Sequence, residues 1–159
     1  MEEKSRHVLD RADRRILDLL QREGALSVAE VAARTGLSTT TCWRRIQTME
    51  AQGVILGRVA LLDRSALGLD VTIFAHVKLS TQGRDAIALF AEAIRERPEV
   101  LDCYTTMGEW DFMLRIVTRD IKAYEAFYLD HLSKLPNVQS INSSVTVTVI
   151  KETTVLPID

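Results

Sequence analysis

Cysteine, proline, histidine and aromatic side chains are all sparse: two, three, three and 6% of 159 residues. Cys42 and Cys103 lie far apart, with neither the short paired spacings of a zinc site nor the density of a disulfide scaffold. No metal site is implied, and both thiols are expected to be reduced and buried. No run approaches the roughly 18 apolar residues of a spanning helix, and the opening MEEKSRHVLD has no apolar signal core. The expectation is a cytoplasmic protein with no membrane partner. Charge of one sign is lacking too: Lys and Arg number 20 against 22 Asp and Glu, a net charge of -2. The residues also lack a Ser-His-Asp set, a phosphate-cradling glycine loop and metal-ligand spacing, so they support no catalysis and imply no cofactor.

What is present is a globular apolar content of 47% and a length that allows one ordinary domain or two small ones. Residues 1–60 carry 10 Lys/Arg against 8 Asp/Glu, whereas residues 61–159 carry 10 against 14. A mildly basic front on an acidic body is the asymmetry expected when one end faces nucleic acid.

In the front segment, Ile16, Leu17, Leu19 and Leu20 recur at helical spacing after Asp10, a natural N-cap, and Gly24 closes the run. Ser27 and Glu30 stand in the capping-box arrangement before a second, short helix that exits at Gly36. Ser38 then caps a third helix whose Cys42, Ile46 and Met49 fall on one face and whose exit is Gly53. The second and third helices form a helix-turn-helix candidate, the third being the reader. Its other face and first turn present Ser38, Thr39, Thr40, Thr41, Trp43, Arg44, Arg45 and Gln47. Hydroxyls and helix N-terminal amides suit phosphate oxygens, threonine methyls suit thymine, and an arginine can fork onto guanine. The stretch GVILGRVALLD reads as a short hairpin or wing, with Arg58 in reach of a phosphate. The same residue types also clothe many small helical bundles, so spacing alone leaves a solvated face open as the alternative.

Turn formers Asp63, Ser65, Gly68 and Asp70 mark a boundary. The expected organisation is a winged helix-turn-helix DNA-binding domain over residues 1–60, a linker over 61–70 and a second domain over 71–159. In that domain VTIFAHVKLS alternates as a strand, Ile87, Phe90, Ala91 and Ile94 mark a helix stopped by Pro98, and EVLDCYTTM and WDFMLRIVT form a hairpin about Gly108. A second helix runs through Ile121, Tyr124, Phe127, Tyr128 and Leu132 to Pro136, and NVQSINSSVTVTVIKETT is the last strand. The order is the ferredoxin-like βαββαβ pattern, which makes the chain an α+β protein. Both helices would cover one sheet face and leave the other for a second copy, a dimer that also suits a palindromic operator.

With these parts assembled, the chain resembles the Lrp/AsnC (feast/famine) family of transcriptional regulators. The resemblance is carried by LDRADRRIL, by LSTTTCWRRIQTMEAQGVILGRVALLD, by the Gly and Asp of MGEWDFML and by the closing TTVLPI. The family commonly has prolines beside the central threonine, where this chain has Thr39 and Thr41. The resemblance implies sequence-specific binding of double-stranded DNA, control of amino-acid metabolism genes, and dimers that assemble to octamers. It also implies a free amino acid as effector, bound between dimers at the loop joining the second and third strands: Thr106, Met107, Gly108, Glu109, Trp110 and Asp111, with Ser143 and Ser144 from a neighbouring subunit. An α-ammonium would suit Asp111 and an α-carboxylate the amides around Gly108, although the residues by themselves are equally turn formers. CWRR, VILGRVALLD and TTVLPI are similar to a subgroup with cysteine-responsive and catabolic regulators, which implies a small, branched aliphatic or cysteine effector. Sirohaem decarboxylases resemble the same architecture, but His7, His76 and His131 form no recognisable constellation. A non-DNA-binding amino-acid-sensing oligomer is the other alternative, against which Arg44, Arg45 and Arg58 stand at reader positions.

Overall fold

The computed structural model describes residues 8–81 and 83–158; His7 lies outside them. The chain divides into two compact units, one of residues up to 61 together with the closing residues from 151, the other of 62–150.

In the first unit, α1 (Arg11–Arg22) starts in a reciprocal box: the Asp10 carboxylate accepts from Asp13 N–H at 2.8 Å, and the Asp13 carboxylate from Asp10 N–H at 3.2 Å. Helix α2 (Val28–Thr35) has the Ser27–Glu30 box and leaves through Gly36 at φ +72°, a left-handed exit that a Cβ would strain. Ser38 caps α3 (Thr39–Ala51) through Thr41 N–H at 3.2 Å. Ile16, Leu20, Val31, Ala32, Cys42, Ile46 and Met49 close a single buried cluster. Each of the larger aliphatic side chains among them contributes roughly 1.5–3 kcal/mol on burial.

Residues 53–63, the expected hairpin or wing, form no paired strand within this chain, and Leu56, Val59, Leu61 and Leu62 are exposed. A two-residue hairpin turn needs positive φ at its centre, and neither Gly57 nor Arg58 adopts it. The closing residues from 151 pack with the first unit. The Gln21 side chain donates to the Leu156 carbonyl at 3.0 Å and accepts from Leu156 N–H at 2.8 Å. A side-chain amide offers the same donor and acceptor pair as a peptide group, so it holds extended backbone as a strand would.

The second unit opens on a fastened turn: Asp63 accepts from Ser65 and Ala66 N–H at 2.9 and 3.2 Å, and a 3-10 turn (Ser65–Leu67) exits at Gly68. Then come β1 (Val71–Leu79), α4 (Arg84–Arg95), β2 (Val100–Thr105), β3 (Phe112–Thr118), α5 (Ile121–Asp130) and β4 (Val138–Val145). All pairings are antiparallel, in the order β2-β3-β1-β4. Helix α5 is shorter than its apolar spacing suggests; the chain tightens into a 3-10 turn (Leu132–Lys134) that still buries Leu132. Strand β4 likewise ends before the alternating run does. Ile73, Ala75, Val77 and Leu79 face the helices and pack with Phe90, Ile94, Phe112, Leu114, Phe127 and Leu132. The Phe90 and Phe112 rings stack at 4.3 Å. The alternate residues Phe74, His76 and Lys78 face the other side of the sheet, which neither helix covers.

Candidate DNA interface and effector site

On α3 the buried residues Cys42, Ile46 and Met49 leave Thr40, Trp43, Arg44 and Gln47 on the outward stripe, all exposed, with Ser38 and Thr39 at its start. Thr41 is half-buried, its hydroxyl accepting from that of Ser38 at 2.8 Å. Trp43 is 54% exposed, a large apolar surface unusual for a residue meant only to meet water. Cys42 is fully buried and burial raises its thiol pKa, which disfavours the reactive thiolate. Cys103, expected buried, is exposed on edge strand β2.

Arg45 does not join the outward stripe. Its guanidinium donates to Asp10 at 2.7 Å and to Asp13 at 2.8 Å, tying α3 to the capping box of α1. The Asp13 side chain is 3% exposed, so this contact neutralises a buried carboxylate. Its role in this structure is to hold two helices together. Arg58 is also engaged, lying 3.8 Å from Glu50, which accepts from Gln47 at 2.9 Å.

The loop between β2 and β3 is closed at its base, where Thr106 N–H donates to the Asp111 carbonyl at 2.9 Å and the Thr106 hydroxyl to the Trp110 carbonyl at 2.6 Å. Its tip, Met107, Gly108 and Glu109, is exposed, with Gly108 at φ +129°. The Asp111 carboxylate accepts from Leu79 N–H at 2.8 Å and lies 3.5 Å from the Lys78 ammonium. It therefore latches the end of β1 to the start of β3. Trp110 is half-buried beside His76, ring centroids 6.1 Å apart, whereas Met107 stands fully exposed, so the two do not form one apolar wall within the chain. Ser143 and Ser144 point to opposite faces of β4. Ser143 is hydrogen-bonded to the Tyr124 hydroxyl on the helix side, and Ser144 sits opposite Phe74 in register on the uncovered side. His131 packs near Phe127 on the helix side, so it and His76 are not brought together.

The sequence model for the Lrp/AsnC ligand-binding domain matches residues 72–156, and that for a winged helix-turn-helix DNA-binding domain matches residues 9–55. The chain belongs to the Lrp/AsnC family. It is 36% identical over 152 residues to the DNA-binding transcriptional activator DecR of Escherichia coli (strain K12), covering 96% of this chain and 100% of that protein. The Bkd operon transcriptional regulator of Pseudomonas aeruginosa is 38% identical over 136 residues, 86% of this chain and 89% of its own. Among solved structures, a transcriptional regulator of Neisseria meningitidis complexed with L-Met superposes with TM-score 0.90 at 36% identity, covering 94% of this chain and 97% of that one.

Several residues that complete the site in this Lrp/AsnC protein were not singled out by sequence reasoning. Asp10 is expected only as a cap and Asp13 carries no expectation, yet both accept from Arg45. The helical wheel carried the signal, since Arg45 lies three residues from Cys42 and four from Met49 and so borders the inner face. Tyr124 was read as core; burial raises its pKa while its hydroxyl meets Ser143. Lys78 and the Leu79 amide engage Asp111 across two strands, a pairing with no local sequence signal.

Proposed function

We propose that the chain regulates transcription of amino-acid metabolism genes by reading duplex DNA through α3 and responding to a free amino acid bound around residues 106–111. The observation that carries the reading is the outward stripe of Thr40, Trp43, Arg44 and Gln47 on a capped, fully packed helix-turn-helix. Hydroxyl, guanidinium and amide groups at that spacing can meet base edges and phosphates in a major groove. Support for the effector comes from the matched ligand-binding domain and from the L-Met complex of the similar Neisseria protein. Support for an aliphatic or sulfur-containing side chain over a long basic one comes from the L-Met complex of the similar Neisseria protein. The uncovered sheet face takes a second copy of the chain, and the dimer offers two readers to a palindromic site, with assembly towards an octamer. An effector shifts DNA affinity only through unequal affinity for two assembly geometries.

The test is a mobility shift on DNA upstream of the protein's own gene, across salt concentrations, with and without L-Met, leucine, cysteine or lysine. Wild type is expected to give specific, salt-dependent retardation that changes with an apolar amino acid. Arg44→Ala should weaken the specific complex by about 10- to 100-fold, the range of one good base contact. Affinity unchanged in Arg44→Ala would remove α3 from the reading role. A response to lysine alone would overturn the effector class.

A further inference from the structure

Two ion pairs on the uncovered sheet face of the second unit differ in how completely they close. The Arg115 guanidinium donates a hydrogen bond to the Asp102 carboxylate, its neighbour in register on β2. The Lys78 ammonium lies 3.5 Å from Oδ1 of Asp111 and, among the described residues, donates no hydrogen bond. An ammonium carries three N–H donors. The Lys78 side chain is only 25% exposed, so most of it is covered while its donors go unmet within the chain.

The cause lies in the latch. Oδ2 of Asp111 accepts from Leu79 N–H at 2.8 Å, and Leu79 is 2% exposed, so the carboxylate cannot turn towards Lys78 without stranding a buried amide. The surroundings of Lys78 offer no substitute. Strand β1 is an inner strand, and Lys78 has Asp111 on one flank and Ser140 of β4 on the other. Its same-face neighbour along β1 is His76, against which the Trp110 ring lies. Neither Ser140 nor His76 supplies an anion. Lys78 is the last outward residue of β1, next to the base of the loop between β2 and β3, so a cation lacking hydrogen-bonded company and a fixed carboxylate stand side by side there. An α-amino acid carries the complementary pair, a carboxylate and an ammonium on one carbon.

We infer that Lys78 binds the α-carboxylate of the effector, with Oδ1 of Asp111 beside its α-ammonium. The inference rests on the amino-acid reading above and deepens it, because the lysine makes the carboxylate a required part of the ligand. Lys78 also lies on the face that a second copy would cover. Enclosing an ammonium without a hydrogen-bonded anion is costly, and the bound carboxylate supplies that anion.

The test is calorimetry on the full chain with L-Met, leucine, cysteine and lysine, each compared with its amino alcohol, which keeps the ammonium and replaces the carboxylate by a hydroxymethyl group. Wild type is expected to bind at least one of the acids and to prefer it to its alcohol by about 10- to 100-fold, the range of a charged hydrogen bond. In Lys78→Gln the acid should weaken to the level of the alcohol, whose own affinity stays as in wild type, and Lys78→Arg should restore the preference. A Lys78→Gln that weakens acid and alcohol alike, or keeps the wild-type preference, overturns the assignment and leaves the amino-acid reading standing. So does a Lys78→Arg that binds the acid no better than Lys78→Gln. Wild type that binds none of the acids overturns the effector reading and this residue together.

Discussion

Arg44 and Arg45 are adjacent, and the roughly 100° between neighbouring residues on a helix sends one outward and the other onto α1. Removing each should have opposite consequences. Arg45→Ala leaves the buried Asp13 carboxylate without its cation and should cost about 1–2 kcal/mol of stability, measured as a lowered denaturant midpoint. Arg44→Ala should leave that midpoint unchanged and lower DNA affinity, so equal midpoints for the two variants would refute the division of labour. Asp111 poses a similar contrast. Its carboxylate satisfies the N–H of Leu79, a residue only 2% exposed, so Asp111→Ala should cost about 1–2 kcal/mol even before effector is added. Wild-type stability in that variant, together with lost effector binding by calorimetry, would make Asp111 a ligand group and not a latch.

Among the elements, α1 and α2 both begin in acidic capping boxes, which gives the first unit an acid limit. Hydrogen bonds from the Asp13 amide and then Arg45 lower the Asp10 pKa; the Ser27 hydroxyl and amide lower that of Glu30; Arg34 lowers that of Glu23. A carboxylate with a depressed folded pKa contributes stability above its unfolded value and loses it as pH falls through the folded value. The unit should therefore hold its melting temperature from pH 7 to 5 and lose it below about pH 4. Glu30→Gln should show a shallower acid fall, and a fall as steep as that of wild type would exclude Glu30 as a contributor. The loop between β2 and β3 behaves differently. Its base is locked by Thr106 and Asp111 while its tip is exposed, so the lock sets where the tip amides are presented.

For the molecule as a whole, the decisive feature is a four-stranded sheet with both helices on one side. Phe74, His76, Lys78, Met113 and Arg115 fall on the other side by strand alternation and register. A second copy stacked there at the usual sheet spacing of about 10 Å would bury them. Phe74→Glu should abolish the proposed dimer, read as a halved mass by light scattering, and weaken binding to a two-half-site operator far more than to a single half-site, because linked readers gain effective concentration. An unchanged mass would move the dimer contact elsewhere.

Much of this fold was legible along the chain because its causes are local. Asp10, Ser27 and Ser38 cap helices by bonds within three residues, Gly36 takes a left-handed φ that few residues tolerate, and strict alternation over 71–79 reads as a strand with two unlike faces. The family likeness rested on the same runs. The partners of each site residue were not legible, because they depend on which distant groups share a surface. Arg45 reaches back to Asp10 and Asp13, Asp111 crosses to β1, Ser143 meets Tyr124, and Leu156 folds onto Gln21. Spacing states which way a side chain leaves its own helix or strand; packing alone states what it meets there. Element order, caps and the buried stripe therefore belong to the sequence, whereas the choice between an arginine that stays at the surface and one that braces a helix is made by the carboxylates folding brings within reach.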